Sequence, residues 1–248
     1  MIDGPEARFP DEPLEAVIGY VDKNWEDPDY NELYRDSSVI LFGDSDHRNK
    51  NSSGGLAKQM QKLKDARVEY LCIELSRDDK DVSYVEKFNK TGDVSLVDYI
   101  IERTKTPESI GRLFKSAFEA GIQLYLIDLP EEVRNNYRWI PDMRTFRRSE
   151  YMGEMISKLS KENPNSKIAV FCGLAHLVDC HIPSVLSKNN IRYKKVAVIP
   201  AGPREMTNKE LPRLPAAQAV SRCNKEDITG YVSLKGAYNL DGFIYFPN

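Results

Sequence analysis

Three histidines occur in this chain, His47, His176 and His181, and two of them fall just past the ends of apolar runs. The run Val39-Ile-Leu-Phe-Gly43 breaks into Asp44-Ser45-Asp46-His47. Glu74 lies between Ile73 and Leu75 inside a second run, and Asp128 closes a third. Gly173-Leu174-Ala175-His176 ends a fourth. Imidazoles and carboxylates are the side chains that accept and return protons near neutral pH, and they also ligate divalent cations. An unpaired carboxylate inside an apolar strand is costly, so Glu74 requires a partner, either a structural cation or a site imidazole. The other groups have simpler alternatives. Asp44 and Asp46 could cap a turn, and Asp128, followed by Leu-Pro, could fix a loop. His181 precedes Ile-Pro and reads equally well as a surface turn residue.

The elements that must position these groups are legible as apolar runs. VILFG (39–43), VEYLCIEL (68–75), IQLYLIDL (122–129), KIAVFCG (167–173) and KKVAVIPAG (194–202) are nearly continuous, the pattern of strands covered on both faces. Helical spacing lies between them at 54–66, in SLVDYIIER, in SIGRLFKSAFEAG closed by Gly121, and at 144–162. Strand and helix in alternation predict an α/β fold with a mostly parallel central sheet flanked by helices. In such sheets ligands bind beyond the carboxyl ends of the strands, where these polar groups converge. The helix at 144–162 buries Met152, Ile156 and Leu159, and one step of four residues back from Met152 reaches Arg148. Its stem could pack while its guanidinium reaches an acid, and a plain structural pairing with Glu74 or Asp44 is the alternative.

Composition narrows the function classes. The chain has 248 residues, 41% of them hydrophobic, and a formal charge of −3, enough for a sizeable core without staples. Mixed charge argues against nucleic acid as the main partner. Cys72, Cys172, Cys180 and Cys223 have no zinc-knuckle spacing, which suits free thiols in a reducing compartment. The acidic, proline-rich start shows no secretory signal and no run is long enough for a bilayer span, so the expectation is a cytoplasmic protein. One domain is expected over 1–248, with a lead-in helix within 1–35. A polar, proline-rich excursion at 203–224 is followed by short strands in YVSLKG and DGFIYFPN that form an edge extension.

The order of GDSDH (43–47), CIEL (72–75), RSEYM (148–152) and FCGLAHLVD (171–179), with DGFIYF near the end, resembles the erythromycin esterase, ChaN and TIKI superfamily. That superfamily also contains a Ras/Rap-cleaving toxin domain. The resemblance implies a cleft with His47 and His176 as its two histidines, Glu74 as the strand-two glutamate and Arg148 as the helix arginine. Asp44 stands where many members carry glutamate. Three residues separate Gly43 from His47, as in the esterase branch, where the TIKI signature has two.

These residues suggest three readings. In the first, a hydrolase cleaves an ester or peptide bond with activated water, since no Gly-x-Ser-x-Gly elbow is present. His47 or Glu74 takes the proton, His176 serves the oxyanion or the leaving group, and Arg148 adds positive charge. Asp46, Asp128 and Tyr151 complete the substrate contacts. A divalent metal, Zn²⁺ or Mn²⁺, on His47, Asp46, Glu74 or His176 is its variant. In the second, the protein binds haem or a metal in the manner of ChaN, with Tyr151 or Tyr125 near the ligand. In the third, it is an effector or toxin domain that contacts protein partners through residues 131–151 without catalysis.

Overall fold

A computed structural model of the protein describes residues 14–45, 49–137, 139–200, 229–234 and 239–246. The chain opens with helices α1 (Leu14–Lys23) and α2 (Tyr30–Leu33), then strand β1 (Val39–Asp44), α3 (Lys50–Lys58) and α4 (Met60–Asp65). Next come β2 (Val68–Ser76), α5 (Asp79–Thr91), α6 (Asp98–Glu102), α7 (Pro107–Glu119) and β3 (Gln123–Asp128). After these are α8 (Glu131–Asn135), α9 (Pro141–Glu162), β4 (Lys167–Gly173), a 3-10 turn Leu174–Leu177, α10 (Ile182–Lys188) and β5 (Tyr193–Pro200). Strands β6 (Gly230–Ser233) and β7 (Gly242–Phe246) close the described chain.

The seven strands form one sheet in the order β3-β2-β4-β1-β5-β7-β6. All pairings are parallel except β6 against β7. From β1 the chain moves through β2 to β3, and the helices of that passage, α3 to α7, cover one face with Leu56, Phe88 and Phe114. It then reverses through β4 to β5, and α9 and α10 cover the other face with Met152, Ile156 and Leu186. Right-handed crossovers force this change of face when the direction of travel reverses. Both faces are therefore buried, which is why the strands read as continuous apolar runs and why their polar residues collect at the carboxyl ends.

The expected strands at 39–43, 68–75, 122–129 and 167–173 agree with β1 to β4 within a residue or so. The fifth agrees over β5, and 201–202 lie outside the described residues, as does the excursion at 203–224. The helix expected at 54–66 is two helices that meet at Gln59. Gly121 has φ of 69° just past the end of α7, the left-handed conformation that a glycine terminator supplies. The 144–162 helix starts three residues earlier, at Pro141, a residue pre-shaped for a first turn. Of the closing strands only β6 is an edge; β7 lies between β5 and β6.

Candidate functional site

The first carboxylate is aimed by its strand. Cys72 belongs to the face covered by α9, and Glu74, two residues on, points the same way. The pairing of β2 with β3 shifts register between Ile73 and Ser76, an irregularity of the kind that re-aims a side chain at a strand end. Helix α9 answers it. Arg148 lies four residues before Met152, so it extends the buried stripe beyond the strand ends.

There the charges close into a network. Arg148 Nη2 donates to Glu74 Oε1. Its Nε donates to Asp128 Oδ1 at 2.9 Å, and Nη2 also donates to Asp128 Oδ2 at 2.8 Å. Asp128 further accepts the backbone N–H of Leu129 at 2.8 Å and lies 3.5 Å from Arg134 Nη1. The second oxygen of Glu74 accepts the N–H of Gly173. Burial works against the charge on Arg148, but Glu74 and Asp128 outweigh it and hold the guanidinium more firmly protonated than usual. The side chains of Asp128 and Glu74 are 1% and 10% exposed. This arrangement satisfies the requirement that buried carboxylates be paired.

His176 joins the network from the 3-10 turn after β4. Gly43 makes that position possible, because a Cβ there would sit 2.7 Å from Leu177 and 2.8 Å from Leu174. Without one, the turn packs directly on β1. His176 is buried, with Nε2 3.3 Å from Glu74 Oε1 and Nδ1 2.7 Å from the hydroxyl of Ser149. Ser149 donates its single proton to the carbonyl of Thr145 at 2.8 Å. With that proton on Thr145, Ser149 accepts from Nδ1–H of His176, and Nε2 is the ring nitrogen that faces Glu74. A proton added at Nε2 would turn the contact with Glu74 into an ion pair.

These groups open onto a cleft of about 460 Å³ beyond the strand ends, lined in part by Asp44, Ser45, Asn49, Glu74, Arg148 and His176. Asp44 is buried at the end of β1, opposite Gly173 of β4. Asp46 and His47 lie outside the described residues, while Ser45 and Asn49 on either side of them in sequence line the cleft. Asp128 stands behind Arg148 on a second hollow, shared with Glu74, Arg103 and Arg134. Tyr151 is not among the residues lining either hollow. Burial, with carboxylates nearby and Arg77 opposing, pushes its phenol up. Cys172 lines the cleft, but burial first, then Glu74 and Asp44, push its thiol well above the ordinary value, which leaves no thiolate nucleophile.

Among the described residues no group of three or more His, Cys, Asp or Glu side chains is placed to hold a metal ion. Of the metal ligands expected from the sequence, Glu74 holds Arg148 on one oxygen and the N–H of Gly173 on the other, and Asp46 and His47 lie outside the described residues. Sequence reasoning missed Ser149, although a signal was present. Ser149 lies three residues before Met152 and seven before Ile156, a polar residue on the buried stripe.

No protein-family profile and no curated protein matches the sequence. Solved structures do resemble it. RRSP, a MARTX toxin effector domain from Vibrio vulnificus, aligns at 19% identity with a TM-score of 0.54, over 73% of this chain and 38% of that one. ChaN of Campylobacter jejuni, whose structure describes cofacial haem binding, aligns at 11% identity with a TM-score of 0.53, over 89% and 91%. No helix among the described residues is long and apolar enough to cross a membrane. At such identities the likeness is one of fold, so the chain shares its α/β architecture with a toxin effector domain and a haem-binding protein, and the site's chemistry must be argued from its own residues.

Proposed function

We propose that the protein is a hydrolase that cleaves an ester or peptide bond in this cleft with water as the attacking group. The observation that carries the reading is His176, a buried imidazole hydrogen-bonded through Nδ1 to Ser149, with Nε2 beside a clamped carboxylate. In this scheme a water beside Nε2 gives its proton to His176 as it attacks the carbonyl carbon. Glu74 stabilises the imidazolium, and the proton is returned to the leaving group. Both oxygens of Glu74 already accept hydrogen bonds, so its part is to orient and stabilise rather than to take the proton itself. Arg148 has its Nε and Nη2 committed to carboxylates, and its part is to hold Glu74 and Asp128. Asp44 lies in the same cleft, and His47, three residues on, is the second histidine of the scheme. The fold's occurrence in a toxin effector domain supports delivery as an effector as the setting.

The test is hydrolysis of p-nitrophenyl esters and of a quenched fluorescent peptide library by the wild-type chain, His47→Ala and His176→Ala. Turnover by wild type and its loss in both variants, with unchanged melting, is expected. Full activity in either variant overturns the assignment. Treatment with EDTA is expected to leave activity intact, and loss restored by Zn²⁺ or Mn²⁺ would return the metal variant.

A second reading rests on His181. Its Nδ1 donates to the carbonyl of Ala175 at 2.7 Å, so Nε2 carries the lone pair, as in many metal-ligating histidines. The ring meets Phe146 edge-on at 6.3 Å, and Met143, Phe146 and Val178 are exposed. These residues suit the flat apolar face of a haem, which would take Nε2 as an axial ligand. The ChaN fold supports this reading, and the protonated phenol of Tyr151 weighs against that residue as the ligand. A Soret shift on titration with haemin, lost in His181→Ala, would support it; no shift would remove it.

A further inference from the structure

Among the described residues, the cleft carries more positive charge than its acids answer. Arg103, Lys105, Arg134, Arg144 and Arg148 line it, in a chain whose formal charge is −3. Among the described residues, Asp44 and Glu74 supply the carboxylates of the same wall. Three of the cations are committed. Arg148 is held by Glu74 and Asp128, Arg134 lies against Asp128, and Arg103 pairs with Asp81. Lys105 and Arg144 have no ion-pair partner among the described residues. They come from different parts of the wall, Lys105 from the loop between α6 and α7 and Arg144 from the first turns of α9. A concave site with surplus charge of one sign focuses the field and draws the opposite charge into it.

A second observation points the same way. The hydroxyl of Ser45 is buried in the cleft wall and has no hydrogen-bond partner among the described residues. Such groups are rare in native proteins, and a polar ligand atom in the cleft would satisfy this one. The start of α9, beside Arg144, also exposes Trp139, Ile140, Met143 and Phe146. A small-molecule pocket encloses most of its ligand, whereas an open cleft beside exposed apolar side chains suits a chain laid across it.

We propose that the cleft seats a polypeptide segment bearing an oxyanion, a carboxylate or a phosphate, with Arg144 and Lys105 as its receptors. This rests on the reading of the cleft as a substrate site. Arginine forks onto either oxyanion in two-point fashion, and lysine adds a mobile point charge. Both residues are exposed and outside the His176 network, so their replacement leaves the buried charges intact.

The experiment uses the full chain and three fluorescein-labelled decapeptides that alternate glycine with glutamate, phosphoserine or glutamine. Binding is read by anisotropy at low and at physiological salt, for wild type and for the double variant Lys105→Glu/Arg144→Glu. The expected result is binding of the glutamate or phosphoserine peptide about tenfold or more tighter than the glutamine peptide. That advantage should shrink with salt and vanish in the double variant, whose melting temperature should match wild type. Preference for phosphoserine alone supports the seat with phosphate as the oxyanion. Equal binding of the three peptides, no binding, or an advantage that survives in the double variant overturns the proposal. Turnover separates it from the hydrolase reading. His176-dependent hydrolysis with no acidic preference sinks the seat and keeps the hydrolase. Binding through Arg144 and Lys105 without hydrolysis of any substrate does the reverse.

Discussion

Two arginines one turn apart on the same face of α9 have opposite circumstances. Arg148 is enclosed by Glu74 and Asp128, with 15% of its side chain exposed. Arg144 stands at the mouth of the same cleft with no acid against it among the described residues. Sequence spacing makes the two equivalent, and the strand ends make them different. Arg148 faces two of the three strands that end in carboxylates, whereas Arg144 is one turn further toward the open start of the helix. The first is a holding group for buried charge, and the second is free to serve a ligand. Buried ion pairs are costly to break because the survivor stays buried, while exposed cations contribute little to folding.

The strongest way to break this contrast is Arg148→Ala. It leaves Glu74 without its cation and Asp128 with only the more distant Arg134, and a loss of about 3–5 kcal/mol of stability is expected. Urea melts monitored by circular dichroism would check it; a melt within error of wild type would show that Arg148 holds nothing. Next in size is His176→Ala, for which hydrolysis should fall by roughly a hundredfold to ten-thousandfold while the fold persists. Gly43→Ala sharpens the link between fold and site. Its new methyl meets Leu174 and Leu177, and overpacking of about 1–3 kcal/mol is expected. The same push should displace His176, so activity should drop further than stability alone explains. Ser149→Ala is gentler, removing one neutral hydrogen bond of about 1 kcal/mol. It removes the partner of His176 Nδ1, so the pH–rate profile should change shape, which a purely structural role for the serine would not produce.

Much of this contrast was legible in the sequence, and the reasons for the remainder are physical. Buried parallel strands write themselves as apolar runs, so β1 to β4 and the polar groups at their ends could be placed from residue types alone. The pairing of Arg148 with Glu74 followed from periodicity and from the cost of burying the glutamate, but the second acid is Asp128 rather than the expected Asp44. Helix α5 was not read, because only Val85 and Phe88 among its apolar residues are buried and its other positions are mostly polar. The insertion of β7 between β5 and β6 was not readable, since strand order depends on long-range pairing that no local pattern encodes. Lys105 was missed for the same reason: only the α6–α7 loop's path over the strand ends brings it to Arg144. Asp46 and His47, named from their place after β1, lie outside the described residues, so their part in the site remains a proposal.

Smaller effects probe the periphery. Asp179 takes hydrogen bonds from Lys195 and Asn239, and the bond from Lys195 is the larger cause that holds its carboxyl below the ordinary range. A carboxyl lowered in the folded state stabilises above its unfolded value, and that contribution disappears as the pH falls through the folded one. Asp179→Asn should therefore cost under about 1 kcal/mol near neutral pH, given the exposure of the aspartate. It should also flatten the acid-side decline of stability below about pH 4. A variant whose acid decline matches wild type would remove Asp179 from the account.

The smallest expected effect is also the one that decides the comparison. Arg144→Ala should change stability by no more than about 0.5 kcal/mol, because it removes an exposed cation that pairs with nothing among the described residues. Its affinity for oxyanionic peptides should fall even so. If Arg144→Ala destabilised the fold as Arg148→Ala does, the two arginines would be parts of one structural network. The positive mouth of the cleft would then be scaffolding rather than a receptor. If stability holds and binding falls, the single turn between the residues separates the charge that builds the site from the charge that selects its ligand.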